Sequence, residues 1–207
     1  MARNRASAKK AGTAFETELA SYLTESLGLP VKRRAKTGAV DLGDLMGVTH
    51  NGREIAIECK SPGQNTAWSI AGWWKETETE ASNLGAPFGI LFVRRYRKNI
   101  SESLVVLDED TAVLLGVKEK LEITEEKAIG FKKLADLLVG GNVVVSPRRG
   151  EESHWYLTTT KDILPFLDSA NDAEQAYVDE ESLAILHEEG KVVIPNNSGG
   201  VVMLTLR

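Results

Sequence analysis

Cysteines, histidines and long apolar runs are scarce in this chain of 207 residues. The single cysteine, Cys59, excludes an internal disulfide bond and fits a reducing compartment such as the cytoplasm. The three histidines, His50, His154 and His187, lack the spacing of a zinc site. No run of eighteen apolar residues occurs, so we expect no membrane-spanning helix and no membrane partner. The basic N-terminal segment lacks the apolar stretch of a secretory signal.

The charge of the chain is unevenly distributed, although its formal total is only -5. Residues 1–100 contain 15 Lys and Arg against 10 Asp and Glu, whereas residues 101–207 contain 10 against 20. A locally basic surface matters more than the total charge when the partner is a polyanion. The pattern therefore permits a nucleic-acid partner for the first half, and the alternative is an unevenly charged, solvated surface.

Hydrophobic residues make up 42% of the chain, enough for one sizeable core and a small second lobe. Apolar periodicity and turn signals predict helices and strands in alternation, which indicates an α/β fold with a mixed sheet flanked by helices. In the first half we predict a helix at 11–28, a short basic strand or loop at 31–36, strands at 44–49 and 53–60, a helix at 66–84 and a buried strand at 88–93.

The acidic second half is harder to interpret. Its patterns predict strands at 104–107, 143–145 and 155–158, helices at 131–139 and 161–168, and strands around the turn residues 196–200. We expect a core with a basic N-terminal arm at 1–100, and an acidic α+β extension at 101–207 that could complete the same domain. The extension could bind a partner, form a dimer, or exclude ordinary duplex DNA through its negative surface.

Polar and apolar residues alternate along the strand predicted at 53–60. A period of two places Ile57 and Cys59 on one face and Glu58 and Lys60 on the other. The first face should pack in the core, and the second should face a cleft or solvent. Glu-x-Lys alone is a common tripeptide that also fits an ordinary polar strand face.

The register of the Asn51-Gly52 hairpin decides whether Asp44 meets Glu58. A two-residue loop pairs Asp44 with Cys59 and turns its side chain to the wrong face, whereas a three-residue loop pairs it with Glu58. A catalytic role for both acids therefore predicts an odd loop, or a bulge between Asp44 and the turn. Two opposed carboxylates repel each other unless a cation lies between them.

Glu16 falls inside the apolar arc of the first predicted helix, close to the direction of Leu23. An acid that points inward needs compensation by a metal ion or an arginine. Alternatively, Thr13 and Glu16 form a capping box at the helix start. For Asp41 we favour a turn residue over a supporting acid of the site.

Several short motifs occur in a characteristic order. They are Gly12-x-x-Phe15-Glu16, Asp41-x-Gly43-Asp44, Glu58-Cys59-Lys60, and Gly72-Trp73 followed by acids and an apolar strand that ends in Arg94-Arg95. This order resembles the PD-(D/E)XK nucleases, which have the restriction-endonuclease-like fold, and looks most like Holliday junction resolvases of archaeal and actinobacterial-phage type. The resemblance covers roughly residues 10–98 and could extend to 153–168. Gly43 replaces the proline that commonly precedes the family's aspartate.

The resemblance implies a metal-dependent, structure-selective DNA endonuclease. Asp44 and Glu58 would bind one or two Mg²⁺ ions, for which Mn²⁺ could substitute, with help from the backbone carbonyl of Cys59. Glu16 would complete the site from the helix, and Lys60 would position or activate the attacking water. The Cys59 side chain itself should be buried and inert. A phage-encoded enzyme of this kind would work in the host cytoplasm.

Basic residues of the first half are candidate contacts to DNA phosphates, which position the backbone without reading its sequence. They are Arg3, Arg5, Lys9, Lys10, Lys32, Arg33, Arg34, Lys36, Arg94, Arg95, Arg97 and Lys98. Trp68, Trp73 and Trp74 could stack on bases or face a second subunit, and we expect at least one of them in the core. A four-way junction is cut symmetrically, so the expected partners are branched DNA and a second copy of the chain.

Two other functions remain open at this point. One is a restriction- or repair-type nuclease of the same superfamily that acts on other DNA. The other is a non-catalytic DNA-binding protein on the same fold, which the intact set of Asp44, Glu58 and Lys60 disfavours.

Overall fold

The structure is a computed structural model that describes residues 5–35, 40–117, 122–125, 130–138, 142–148, 152–169, 191–195 and 201–205. The chain divides into two compact units, residues 1–168 and 169–207. None of the helices in these ranges is long and apolar enough to cross a membrane.

Most of the first unit is a mixed sheet flanked by helices, which confirms the predicted fold class. Its strands are β1 (Lys32–Arg33), β2 (Leu45–Met46), β3 (Thr49–His50), β4 (Arg53–Glu54), β5 (Ala56–Lys60), β6 (Gly89–Val93), β7 (Leu104–Asp108), β8 (Glu122–Glu125), β9 (Asn142–Pro147) and β10 (His154–Thr159). Its helices are α1 (Arg5–Leu27), α2 (Ile70–Leu84), α3 (Glu109–Leu114), α4 (Phe131–Asp136) and α5 (Thr160–Ile163), with 3-10 turns at Ile100–Glu102 and Leu164–Phe166.

Eight strands form the main sheet, in the order β1-β2-β5-β6-β7-β10-β9-β8. The pairs β5–β6 and β8–β9 are parallel, and the other neighbours are antiparallel. The sheet continues across residue 100, so strands from the basic and the acidic halves of the sequence share one layer. In the second unit, the described residues form one antiparallel pair, β11 (Lys191–Pro195) with β12 (Val201–Thr205), and the turn predicted at 196–200 lies outside the described residues.

Apolar side chains cover both faces of the sheet. Successive side chains of a strand point to opposite faces, so a continuously apolar strand such as β6 contributes to both. On one face, α1 contributes Phe15, Leu19 and Leu23 to a core that includes Ile57. On the other face, α2 and α4 pack in a second core around Trp74. The two helices that the sequence located best, α1 and α2, therefore lie on opposite sides of β5 and β6.

Helix α2 makes the crossover that two parallel strands require. It begins at Ile70, four residues after the predicted start, and ends at Gly85 in the left-handed conformation with φ 68°. The N–H of Ala86 donates to the carbonyl of Ala81 at 2.9 Å, which closes the helix end. The helix returns close to the sheet, because a Cβ at Gly89 would lie 2.5 Å from Cγ2 of Thr77.

The β3–β4 hairpin has a strict two-residue turn. His50 pairs with Arg53, and both turn residues have positive φ, 51° at Asn51 and 70° at Gly52, as a type I′ turn requires. The carboxylate of Asp168 accepts hydrogen bonds from both turn N–H groups at 2.8 Å. A distant side chain therefore fixes the turn.

A β-bulge between this hairpin and Asp44 shifts the register by one residue. The N–H of Ile55 donates to the carbonyl of Val48 at 3.0 Å, yet the next pair is Leu45 with Ile57. Two residues, Met46 and Gly47, thus lie opposite Ala56 alone. The shift places Asp44 opposite Glu58, which confirms the bulge predicted from the sequence.

Gly47 permits the bulge, and its replacement tests it. Its φ is 89°, and an added Cβ would lie 2.8 Å from the carbonyl oxygen of Pro30. We expect Gly47→Ala to lower the free energy of unfolding by about 1–3 kcal/mol, measured by urea denaturation. Gly52→Ala is the matched control, because Gly52 also has positive φ but no atom within 4 Å of its added Cβ. If Gly47→Ala lowers the free energy of unfolding no more than Gly52→Ala does, the close approach of Gly47 to the carbonyl of Pro30 would be contradicted.

Candidate active site

Three carboxyl groups from different elements meet beside β5. Asp44 lies just before β2, Glu58 in the middle of β5, and Glu80 in the last turns of α2. They are 8%, 4% and 5% exposed, respectively. Asp44 reaches the site because of the bulge, Glu58 belongs to strand β5, and Glu80 belongs to the crossover helix α2.

Backbone hydrogen bonds hold Asp44 in place. Its N–H donates to the carbonyl of Ile57 at 2.8 Å, and its Oδ2 accepts from the N–H of Cys59 at 3.0 Å. The preceding Gly43 has φ 93°, and an added Cβ would lie 3.0 Å from the carbonyl oxygen of Ile57. Proline fixes φ near -65° and cannot adopt this conformation. The positive φ at this position therefore explains why Gly43 stands where the family motif commonly has a proline.

Burial and mutual repulsion raise the pKa of each of the three carboxyl groups to about 7. For Asp44, burial is the largest cause, followed by the charge of Glu58. For Glu58, burial comes first and the charge of Glu80 second, while Lys60 lowers the pKa. For Glu80, burial again dominates, and the charges of Asp41 and Asp44 add to it. The cluster therefore holds protons that ordinary carboxylates lose near pH 4.

The carboxyl groups lie close enough to share protons. The side chain of Glu58 lies within hydrogen-bond reach of both Asp44 and Glu80. A carboxyl–carboxyl hydrogen bond requires a proton on one partner, because two ionised groups are acceptors only. The buried Oε2 of Glu80 has no hydrogen-bond partner, and it is one of few such atoms among the described residues.

Lys60 lies at the open side of this cluster. Its Nζ contacts Oε1 of Glu58 and lies 2.5 Å from Oε2 of Glu76. Burial lowers the pKa of the Lys60 amine, but the charges and hydrogen bonds of Glu58 and Glu76 outweigh burial and hold this pKa above its ordinary range. Lys60 is therefore a positively charged ammonium group at neutral pH.

A cleft between β5 and α2 opens beside Glu58, Lys60 and Glu80. Its volume is about 520 Å³, and its walls include Asp41, Glu58, Lys60, Glu76 and Glu80. The carbonyl of Asp41 accepts a hydrogen bond from Asn83 at 2.8 Å, which fixes the Asp41 segment against α2. The prediction that Glu58 and Lys60 face a cleft is confirmed.

Glu16 approaches the cluster without contacting it. Its Oε2 lies 2.7 Å from a guanidinium nitrogen of Arg33, and its charge adds to the causes that raise the pKa of Asp44. The capping-box alternative is wrong, because α1 begins at Arg5 and Thr13 lies inside it. An arginine therefore compensates the inward-pointing acid, one of the two possibilities foreseen from its helical position.

The donor set fits a divalent cation chemically, although it is not assembled around one. Within the described ranges, no three His, Cys, Asp or Glu side chains are arranged to hold a metal ion. Protons and the Lys60 ammonium satisfy the carboxylates instead. Carboxylate oxygens are the ligands that Mg²⁺ and Mn²⁺ prefer, and Oε2 of Glu80 is buried without a hydrogen-bond partner. A cation would therefore replace the shared protons.

The predicted phosphate contacts have different environments. Arg5, Lys9, Lys10, Lys32, Arg97 and Lys98 are exposed, and Arg33 and Arg94 are ion-paired with Glu16 and Glu18 of α1. Arg34 is half-buried against Glu54, with 2.8 Å between their charged atoms. Arg95 is only 6% exposed and donates to the carbonyl of Glu102, so it supports the turn after β6 and does not reach outward. Arg3 and Lys36 lie outside the described residues.

The tryptophans and the cysteine also separate into roles. Trp74 is buried, with its ring centroid 5.7 Å from that of Trp155, and Trp73 packs beside the same core. The Cys59 thiol is buried, and burial together with the nearby carboxylates holds its pKa well above its ordinary range. Core packing by at least one tryptophan and an inert thiol both agree with the sequence predictions.

Glu80 and Glu76 are the acids of the cleft that sequence reasoning did not identify. The buried face of α2 contains Ile70, Trp74, Thr77 and Glu80, so the acid occupies a position of the apolar stripe. The same signal had marked Glu16 in α1. Glu76 lies one turn before Glu80 on the side of the helix that faces Lys60.

Comparison with protein families gives one match. The family described as "Phage putative PDDEXK endonuclease" matches residues 7–145, which include all the residues of the cleft. Comparisons with curated proteins and with solved structures give no significant match.

The raised pKa values predict how stability depends on pH when divalent cations are chelated. Between pH 4 and 7 the folded protein binds more protons at Asp44, Glu58 and Glu80 than the unfolded chain does, so stability should fall as the pH rises through this window. Glu80→Gln should flatten this fall and raise the free energy of unfolding at pH 8 by about 1 kcal/mol or more.

Urea denaturation at pH 5 and pH 8 in the presence of a chelator measures both effects. Glu25→Gln, which removes an exposed acid of α1, is the control for the loss of one charge. A lower free energy of unfolding in Glu80→Gln at pH 8 would contradict the prediction. It would show that favourable contacts of the Glu80 carboxylate outweigh its burial and its repulsion by the neighbouring acids.

Proposed function

The chain belongs to the phage PDDEXK endonuclease family, and from this premise we propose that it is a divalent-metal-dependent endonuclease that cleaves branched DNA. The observation that carries the proposal is the carboxylate cluster of Asp44, Glu58 and Glu80 with the Lys60 ammonium at its open side. The family supports the reaction class, DNA cleavage, and the cluster supports dependence on a metal.

In this proposal, Asp44 and Glu58 hold the divalent cation, with the backbone carbonyl of Cys59. Glu80 joins them through the oxygen that has no other partner, and Glu16 completes the site from α1 when the polyanion draws Arg33 away. When bound, the cation neutralises charge on the attacked phosphate and lowers the pKa of a water molecule. Burial of the acids is then compensated by the cation in place of protons.

Lys60 acts through its charge and is not a general base. Its pKa lies above the ordinary range because Glu58 and Glu76 surround it, so it does not lose its proton at neutral pH. A fixed ammonium group at the mouth of the cleft binds the attacked phosphate and stabilises the negative charge that develops there. Glu58 and Glu76 orient the Nζ from two sides, which prepares it for this contact.

The reaction is hydrolysis of a phosphodiester. The oxygen of a water molecule forms a bond to phosphorus, and the bond from phosphorus to the leaving oxygen of the deoxyribose breaks. One proton leaves the attacking water, and the leaving oxygen takes up a proton. The cleft walls position the phosphate between Lys60 and the acids, which lowers the entropic cost of the attack.

A four-way junction is the substrate that we propose, on the resemblance of the motifs to Holliday junction resolvases. Exposed cations on α1 and ion-paired arginines beside it provide contacts to backbone phosphates, which position DNA by shape. Symmetric cleavage of a junction requires two sites related by a twofold axis, so we propose a homodimer.

Cleavage assays with Mg²⁺ on a synthetic four-way junction and on linear duplex of matched sequence test the substrate. We expect paired, symmetric nicks on the junction alone. Equal cleavage of both DNAs would indicate a general nuclease instead, and binding without cleavage of either would indicate a non-catalytic DNA-binding protein.

In the same assay, Lys60→Ala should lower the cleavage rate about 100-fold or more, because it removes a fixed charge at the reacting phosphate. Lys75→Ala is the control, since it removes an exposed cation that lines the same cleft. A Lys60→Ala protein with the cleavage rate of the unmodified protein would overturn the proposed role.

The role of Glu80 is tested by metal binding and not by activity. Isothermal titration of the DNA-free protein with Mn²⁺ should show affinity weakened at least about tenfold in Glu80→Gln. Glu78→Gln changes an acid of the same helix that is bonded to the indole of Trp74, and it should leave the affinity unchanged. Equal affinities in the two variants would remove Glu80 from the metal site.

A further inference from the structure

A second cavity lies beyond the ends of β5 and β6, and the cleft residues do not account for it. Its volume is about 210 Å³, and its lining includes Pro62, Trp68, Arg94, Tyr96 and Lys132. The segment after β5, the turn after β6 and helix α4 form its walls. Ligands of open α/β sheets commonly bind outside the carboxyl ends of neighbouring parallel strands.

The cavity adjoins the active-site cleft through the backbone. The N–H of Arg94 donates to the carbonyl of Lys60 at 2.8 Å, so the two residues lie side by side at the ends of their strands. Pro62 follows Lys60 by two residues, a span of at most about 7 Å. At about 3.4 Å of rise per nucleotide, this distance corresponds to about two nucleotides along a DNA strand.

Two aromatic side chains line the cavity. Trp68 is half-buried and packs at the edge of the core that contains Trp74, and Tyr96 is 53% exposed. An exposed aromatic ring beside a cleft for DNA can stack on a base, because every base presents a π face. Trp74 is buried in the core, and Trp68 and Trp73 are both half-buried against it. Trp68 is the one of the three that lines this cavity.

Two lysines lie beside the aromatic side chains of the cavity. The Nζ of Lys132 lies 5.9 Å from the centroid of the Trp68 ring and donates to the carbonyl of Gln64 at 2.8 Å. Lys98 also lines the cavity, and it pairs with Glu102 at 3.1 Å. Ion pairs of exposed side chains are weak, so a phosphate can compete with the carboxylate for such a lysine.

We propose that this cavity binds a nucleotide that is out of the base stack, about two nucleotides from the attacked phosphate. The inference rests on the proposed function and deepens it, since it names unpaired or unstacked DNA as the feature that the enzyme recognises. Trp68 and Tyr96 stack on the base, and Lys132 and Lys98 contact the phosphate. Base stacking is interrupted at the branch point of a junction, so a nucleotide leaves the stack there at lower cost than in a continuous duplex.

Binding of fluorescently labelled DNA, measured by anisotropy with a chelator present, tests this without any cleavage. The probes are a fully paired duplex, the same duplex with a single-nucleotide bulge, and the bulged duplex with an abasic site at the bulge. We expect the bulged duplex to bind at least about fivefold tighter than the paired duplex, the lower end of base–aromatic stacking. The abasic probe should lose this advantage, because it keeps the phosphate and removes the base.

Variants assign the effect to the cavity. Trp68→Ala should remove the preference for the bulge and leave binding of the paired duplex unchanged, whereas Trp68→Phe, which keeps a ring and preserves packing, should retain part of it. Lys132→Ala should weaken binding of both bulged probes, and Lys133→Ala, at the exposed neighbouring position of α4, is the control.

Equal affinity of the unmodified protein for the paired and bulged duplexes would overturn the inference, as would an equal loss on both probes in Trp68→Ala. Neither result depends on catalysis, so cleavage of DNA in the presence of Mg²⁺ would still support the proposed function. Absence of binding to all three probes would also overturn the inference, and cleavage of the four-way junction with Mg²⁺ would decide the proposed function separately.

Discussion

Repulsion among three buried carboxyl groups is the constraint on which the arrangement of the site and its surrounding elements depends. Asp44, Glu58 and Glu80 lie within hydrogen-bond reach of their neighbours in a site that water barely enters, where like charges are costly. The folded chain tolerates them because protons, the N–H of Cys59 and the ammonium of Lys60 compensate the charge. In the function that we propose, a divalent cation would replace this compensation.

The rest of the fold holds these groups together against their repulsion. The bulge at Gly47 turns Asp44 toward Glu58, and the Asp168 carboxylate fixes the hairpin turn from which the register starts. Helix α2 carries Glu80 across the same face because it approaches the sheet closely at Gly89. A loss of register at the hairpin or a shift of the helix would separate the acids and relieve their repulsion at the expense of the site.

Positive charge is arranged around this acidic centre, although the whole chain is acidic. Arg33 and Arg94 flank α1 and pair with its acids, and Lys132 lies beside Trp68 at the ends of the central strands. Exposed ion pairs of this kind cost little to exchange for phosphate contacts. In the function that we propose, the acids of the cleft would hold the metal ion and these cations would contact the polyanion.

The sequence by itself determined the local chemistry of the site. The period of two along β5 placed Glu58 and Lys60 on one face, because it depends only on neighbouring residues. The sequence left an odd loop and a bulge as alternatives at the hairpin, and tertiary structure decided for a two-residue turn with a bulge between it and Asp44. It also decided that Glu80 completes the cluster. Both depend on contacts between residues far apart in the chain: Gly47 against Pro30, and α2 against the sheet. Local periodicity carries no information about such contacts. The sequence therefore identified Glu58 and Lys60, whereas the fold determined which distant residues lie beside them.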